Sequence, residues 1–189
     1  MYTLDELKQY VRHCNKCPLC KERNNVVFGQ GNESADILFI GEGPGYHEDM
    51  QGIAFVGPAG KLLTKALEQI NITRDDVYIA NIVKCRPPNN RNPLKEEMNA
   101  CIEYLRYQVK LIKPKIIVCL GSIASKNIID EDFKITKERG RWILKKDIWI
   151  LPTFHPAAVL RDVNKEKSFF DDFEEIKSKY EGMKACGGA

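Results

Sequence analysis

No apolar run in this 189-residue chain approaches the ~20 residues that a membrane-spanning helix requires. Nor does a charged start lead into an apolar signal segment. The sequence thus reads as a cytoplasmic protein with no membrane partner, whose cysteines stay reduced. Charge of one sign is lacking too: charged residues make up 29%, yet the formal net charge is only +3. Any nucleic-acid surface must then be a local basic patch, since the total charge neither demands nor forbids such a partner. The length suits one well-buried core and is short for two. A single domain over residues 1–180 is expected, as a monomer, with a disordered Gly-rich tail over 181–189.

Several common site signatures are also missing. Gly41-Glu42-Gly43-Pro44-Gly45 can bring backbone amides close to a ligand, but a dinucleotide fingerprint needs a third glycine where Tyr46 stands. Gly57-Pro58-Ala59-Gly60-Lys61 resembles a phosphate loop, except that Phe55 occupies the place of its first glycine and Leu62 that of its hydroxyl. Nucleoside triphosphate binding is thereby disfavoured. The zinc deaminase signature fails because Pro18 follows Cys17 instead of preceding a Cys-x-x-Cys pair.

What the chain does have is cysteine in a telling arrangement. Cys14 and Cys17 form a close pair, and Cys85 and Cys101 follow as singles; a bound metal centre is the best reason for a reduced protein to gather them. A redox pair of the thioredoxin kind should lie between a strand and a helix, whereas this pair follows an amphipathic stretch, residues 4–11, and precedes a polar turn. An all-thiolate site suits zinc or an iron–sulfur cluster, and spacing alone does not separate them. Cys17 and Cys20 repeat the same spacing and compete with the first pair. Cys119, inside an apolar run, reads as a buried inert thiol, and Cys186 falls in the tail.

Four short β-branched runs, residues 36–40, 77–82, 115–120 and 148–151, alternate with helical patterns at 60–70, 94–112 and 122–129, and a charged amphipathic helix closes the chain at 165–180. That rhythm predicts a three-layer α/β/α fold around a four-stranded parallel sheet. Ligands in such sheets sit beyond the carboxyl ends of the strands. Each run is followed there by a chemically loaded loop: residues 41–45, 84–88, 121–122 and 153–156.

Taken together, the loop at 41–45, Gln51 through Gly60, Asn81-Ile82-Val83-Lys84-Cys85-Arg86-Pro87-Pro88 and His155-Pro156-Ala157-Ala158-Val159-Leu160-Arg161 strongly resemble the family 4 uracil-DNA glycosylases, the iron–sulfur, thermostable type. The resemblance runs from about Cys14 to Phe173. It implies a four-stranded parallel sheet between helices, a structural 4Fe–4S cluster, and hydrolytic removal of uracil from DNA. It also resolves the cysteine choice toward Cys14, Cys17, Cys85 and Cys101. One departure is visible: the family's first motif more often has alanine where this chain has Gly43, a position expected to offer a backbone amide to uracil.

The residues fit that chemistry on their own terms. A base stacked in a duplex must be flipped into a pocket and read by stacking and by its Watson–Crick edge. Phe55, in a Gly-rich loop, suits a stacking platform, against the alternative of an aromatic plugging the core. Asn81 ends an apolar strand, where a buried amide needs a partner. Its oxygen and nitrogen match uracil N3–H and O4, while cytosine presents the opposite pattern; the alternative is a loop-bracing asparagine. Cleavage leaves negative charge on uracil O2, and His155 resembles the family's donor to that atom. Glu42 matches the position that orients water or stabilises the sugar cation, with Glu48 and Asn90 as helpers holding water. Leu160 and Arg161 read as a wedge and a phosphate contact, and Lys84 and Arg86, with Arg91, as a basic loop against DNA. The substrate is uracil-containing DNA, single- or double-stranded; a replication clamp is not readable from the sequence. Two other functions fit less well: a non-catalytic iron–sulfur nucleic-acid binder, which needs neither Glu42 nor His155, and a glycosylase for other deaminated bases.

Overall fold

A computed structural model describes residues 3–186. The chain opens with α1 (Leu4–Arg12), then β1 (Gln30–Gly31), β2 (Ile37–Gly41), α2 (Tyr46–Gln51), α3 (Pro58–Gln69) and β3 (Tyr78–Asn81). It continues through α4 (Lys95–Ile112), β4 (Ile116–Leu120), α5 (Gly121–Ile128), α6 (Ile135–Glu138), β5 (Ile143–Lys145), β6 (Ile148–Thr153), α7 (Pro156–Arg161) and α8 (Glu166–Cys186). Local chemistry explains several boundaries. Thr3 and Glu6 form a reciprocal capping box at the start of α1, and Pro58, which needs no donor, occupies the first turn of α3.

The sheet order is β1-β3-β2-β4-β6-β5. Its middle four strands are mutually parallel and are those expected from the four apolar runs. Two short antiparallel strands, β1 beside β3 and β5 beside β6, extend them to a mixed six-stranded sheet. Strand alternation sends side chains to two cores. Leu38, Ile40, Tyr78, Ala80, Ile117 and Cys119 face one, with α1 and α4. Ile37, Phe39, Val77, Ile79, Ile116 and Val118 face the other, with α3 and α8. On α8, Phe169, Phe173 and Ile176 are buried at helical spacing, and Phe173 stacks on Phe39.

Two expectations need amendment. Residues 181–186 continue α8 where a disordered tail was expected, and residues 187–189 lie outside the described residues. Lys84, expected at a DNA surface, is only 1% exposed. Its chain position just beyond β3 carries it inward, where its ammonium donates to the Asn81 carbonyl and the Gln108 side chain. Cys119 is fully buried, as expected of an inert thiol, and burial pushes its pKa up.

Candidate active site

A cavity of about 710 Å³ opens at the carboxyl edge of the parallel strands. Glu42, Gly43, Phe55, Asn81, Asn90, His155 and Arg161 all line it. Residues distant in sequence meet there because β3, β2, β4 and β6 end side by side.

Asn81 closes β3 and is 1% exposed. Its Oδ1 is buried without a hydrogen-bond partner, alone in this among the side-chain nitrogens and oxygens of the described residues. An orphaned buried acceptor is costly, so its place on a cavity wall marks where a ligand donor belongs. Close approach here depends on Gly41: a β-carbon at that position would lie 2.4 Å from Asn81 Oδ1 and 2.6 Å from the Phe55 ring.

Phe55 adopts a left-handed backbone, φ 53°, which costs a non-glycine residue free energy unless its surroundings hold it. They hold it from two sides. Arg74 donates to the carbonyls of Ala54 (2.7 Å) and Phe55 (3.0 Å). The Glu48 carboxylate accepts from the amides of Val56 (2.9 Å) and Gly57 (2.8 Å) and, across the gap, from Gly45 (3.1 Å). Glu48 therefore clasps the Phe55 loop to the 41–45 loop, a different task from the water-holding expected of it. Glu48→Ala is expected to lower the unfolding free energy by about 2–4 kcal/mol, because three amides lose a charged acceptor; denaturant titration measures it.

His155 caps α7, its Nδ1 accepting from the Ala157 amide at 3.1 Å. A neutral ring with Nδ1 accepting carries its proton on Nε2. Burial, reinforced by the Arg161 charge, lowers the His155 pKa to about 4, so the ring is neutral at physiological pH. The ring centroid lies 5.7 Å from that of Phe55. Gly121 makes room for it, since a β-carbon there would sit 2.8 Å from His155 Cβ. The end of β6 is anchored by Thr153, whose hydroxyl donates to buried Asp172 at 2.5 Å. Burial raises the pKa of Glu42, and Arg161 opposes that shift. Arg161 thus acts on both candidate catalytic groups.

The remaining candidates divide. Asn90 lines the cavity, but its Oδ1 accepts from Arg86 Nε at 2.6 Å, and Arg86 also lies over the Tyr46 ring. Arg91 makes a two-pronged ion pair with buried Glu97, so it serves the fold more than an open basic surface. Leu160 is 53% exposed beside Arg161 on α7. Arg74 escaped the sequence reading because no motif marks a cationic side chain that returns to an earlier loop. In the sequence Gly121 is one glycine after an apolar run, and nothing there marks that His155 packs against it.

Beneath this edge, Cys14, Cys17, Cys85 and Cys101 line one small cavity with Cys20, Arg23, Lys84 and Tyr104. Among the described residues, no three His, Cys, Asp or Glu side chains are gathered as one ion would require. The sulfurs sit among donors: Tyr104 Oη reaches Cys14 at 3.1 Å, Arg23 Nη1 reaches Cys85 and the Lys84 amide reaches Cys101, both at 3.3 Å. The Leu19 amide faces Cys17. Cys20 receives no such bond among the described residues. Burial pushes the Cys17 and Cys85 thiols up and Cys101 to about 11, while the Lys84 ammonium is lowered to about 8.

Comparison with known proteins bears on this geometry. Residues 28–177 match the uracil DNA glycosylase superfamily. The type-4 uracil-DNA glycosylase of Sulfurisphaera tokodaii is 47% identical over 186 residues, covering 94% of this chain and 84% of that protein. The chain belongs to the type-4 uracil-DNA glycosylases. Two further relatives bearing that name are similar along nearly their whole length. The Thermotoga maritima protein is 46% identical over 94% of this chain and 97% of its own, and the Archaeoglobus fulgidus protein 44% identical over 93% and 92%. For a uracil-DNA glycosylase, a cavity pairing an unsatisfied amide with an aromatic ring and a neutral histidine is chemically apt. Among the described residues no helix is long and apolar enough to cross a membrane.

Proposed function

We propose that this chain flips uracil out of DNA into the 710 Å³ cavity and hydrolyses its N-glycosidic bond, leaving an abasic site. The unpartnered Oδ1 of Asn81 carries the reading. It accepts from uracil N3–H while the amide nitrogen donates to O4; cytosine meets both atoms with the wrong polarity. Phe55 supplies the stacking face, with the Gly43 amide at the same edge. As the bond breaks, negative charge gathers on O2, and the His155 Nε2–H, pre-aimed by the Ala157 contact, donates to it. Ionised Glu42 holds the attacking water or faces the sugar cation. Leu160 fills the space the base leaves, while Arg161 and Arg86 meet phosphates.

The cysteine-lined cavity suits a 4Fe–4S cluster. Of the five cysteines around one space, Cys14, Cys17, Cys85 and Cys101 are each met by a hydrogen-bond donor, and one thiolate per iron spreads the ligands more widely than one tetrahedral ion does. When bound, the cluster has a structural task, because base hydrolysis transfers no electrons.

Excision from a labelled oligonucleotide carrying one uracil, followed by alkaline cleavage, tests the activity. Strand breakage is expected; its absence from a folded, metal-loaded protein overturns the reading. The pH profile tests the roles. His155 stays neutral down to about pH 4, so the profile of kcat/KM should show no inflection near the ordinary histidine value of about 6.5. Its acid limb belongs to Glu42, whose raised pKa places activity loss above the usual carboxylate range as pH falls. Arg161→Gln removes the charge that opposes this shift, so the limb should move to higher pH; an unmoved limb excludes Glu42 as the titrating group.

A further inference from the structure

Lys84 is a charge in a place where charge is costly, and the mechanism above leaves it without a task. Its ammonium is enclosed and bonds only neutral acceptors, Asn81 O at 2.9 Å and Gln108 Oε1 at 2.6 Å. Gln108, also fully buried, is fixed in turn by donating to Phe28 O at 2.9 Å. A buried cation without a carboxylate destabilises a fold unless other groups compensate. Among the described residues no carboxylate pairs with it; its own amide donates to Cys101 Sγ at 3.3 Å, and its side chain lines the cavity that Cys85 and Cys101 share. Lys84 therefore touches two sites at once.

The consequence lies at Asn81. The peptide unit joining Asn81 to Ile82 is held at both ends: its carbonyl accepts from Lys84, and its N–H donates to Gly41 O at 2.9 Å. Holding that plane restricts the Cα–Cβ direction of Asn81, the base from which its side chain places the unpartnered Oδ1 against Gly41. We propose that Lys84 is a positioning residue that sets the Asn81 amide for uracil and ties the uracil pocket mechanically to the cysteine-lined cavity. This rests on Asn81 being the reader of uracil.

The test uses the full metal-loaded chain and compares wild type, Lys84→Met, Asn81→Ala and the double variant. Free uracil binding, single-turnover excision, affinity for abasic-site DNA and visible absorbance are measured in each. Lys84→Met is expected to weaken free uracil at least about tenfold and to slow excision by about 100-fold, the scale of a 1 Å misplacement. Abasic-site affinity should stay within about twofold and the absorbance should persist, because the DNA surface and cysteines are untouched. In the Asn81→Ala background the same change should weaken uracil by less than about threefold, since coupled residues are not additive. Equal losses in both backgrounds, or undiminished uracil binding in Lys84→Met, overturn the positioning role. Undiminished binding in Asn81→Ala alone overturns the Asn81 reading, and this proposal with it. Should Lys84→Met not fold, Gln108→Leu removes the ammonium's second acceptor, and the same cycle with Asn81→Ala decides.

Discussion

Replacing His155 by alanine is expected to slow single-turnover excision by about 100- to 1,000-fold, the loss found when one pre-aimed donor to a developing oxyanion is removed. The geometry makes the donor specific. Nδ1 is engaged by the Ala157 amide, so the proton available to substrate sits on Nε2, and the lowered pKa keeps the ring from competing as a cation. A neutral donor suits a leaving group that is itself becoming an anion, since it stabilises charge without having to surrender its proton. The variant also loses the cap of α7, which costs about 1 kcal/mol of stability; a small fall in melting temperature with abasic-site binding retained would separate that loss from the catalytic one. A rate reduced less than about tenfold removes His155 from the stabilisation of O2.

Asn81→Ala should have an effect of similar or greater size. Two hydrogen bonds to the uracil edge, each worth about 2 kcal/mol in a dry site, amount to roughly a thousandfold in rate. The free protein should show the opposite trend. Oδ1 is buried without a partner, a condition that costs about 1–3 kcal/mol, so removing it offsets the packing lost with a small side chain. Thermal melting without DNA is therefore expected to stay within about 3 °C of wild type, or to rise. Unchanged excision would exclude Asn81 as the reading residue, and a collapsed melting temperature would make it a structural brace.

The strands that carry the site were legible because each is a short apolar run that ends in or leads shortly into glycine, asparagine or histidine, a pattern set by local chemistry. The flanking strands β1 and β5, of two and three residues, are too short to show alternation; they exist because neighbouring strands offer an edge. Lys84 was misread for a similar reason. A lysine among Cys85 and Arg86 looks solvated, and only Gln108, brought in by α4, reveals that it points inward. Glu48 and Arg74 act on backbone groups, which have no identity in a sequence. The cysteines were legible as a set, but the choice between Cys14 and Cys20 came from the family resemblance; the hydrogen bond from Tyr104 to Cys14 bridges 90 residues of chain.

Strand spacing has a last consequence for substrate size. Asn81 ends β3 and His155 follows the end of β6 by two residues; these are the outer pair of the four parallel strands, with β2 and β4 between them. Three intervals of about 4.8 Å put those strand axes roughly 14 Å apart, too wide for one pyrimidine to bridge by hydrogen bonds. The two middle strands lead into Gly41 and Gly121, where a β-carbon would strike the side chains of Asn81 and His155. Two missing carbons thus set the gauge of the pocket, letting the outer residues lean inward until a single ring spans them. An engineer seeking to admit a larger base would begin at these glycines, before altering either residue that touches the ring.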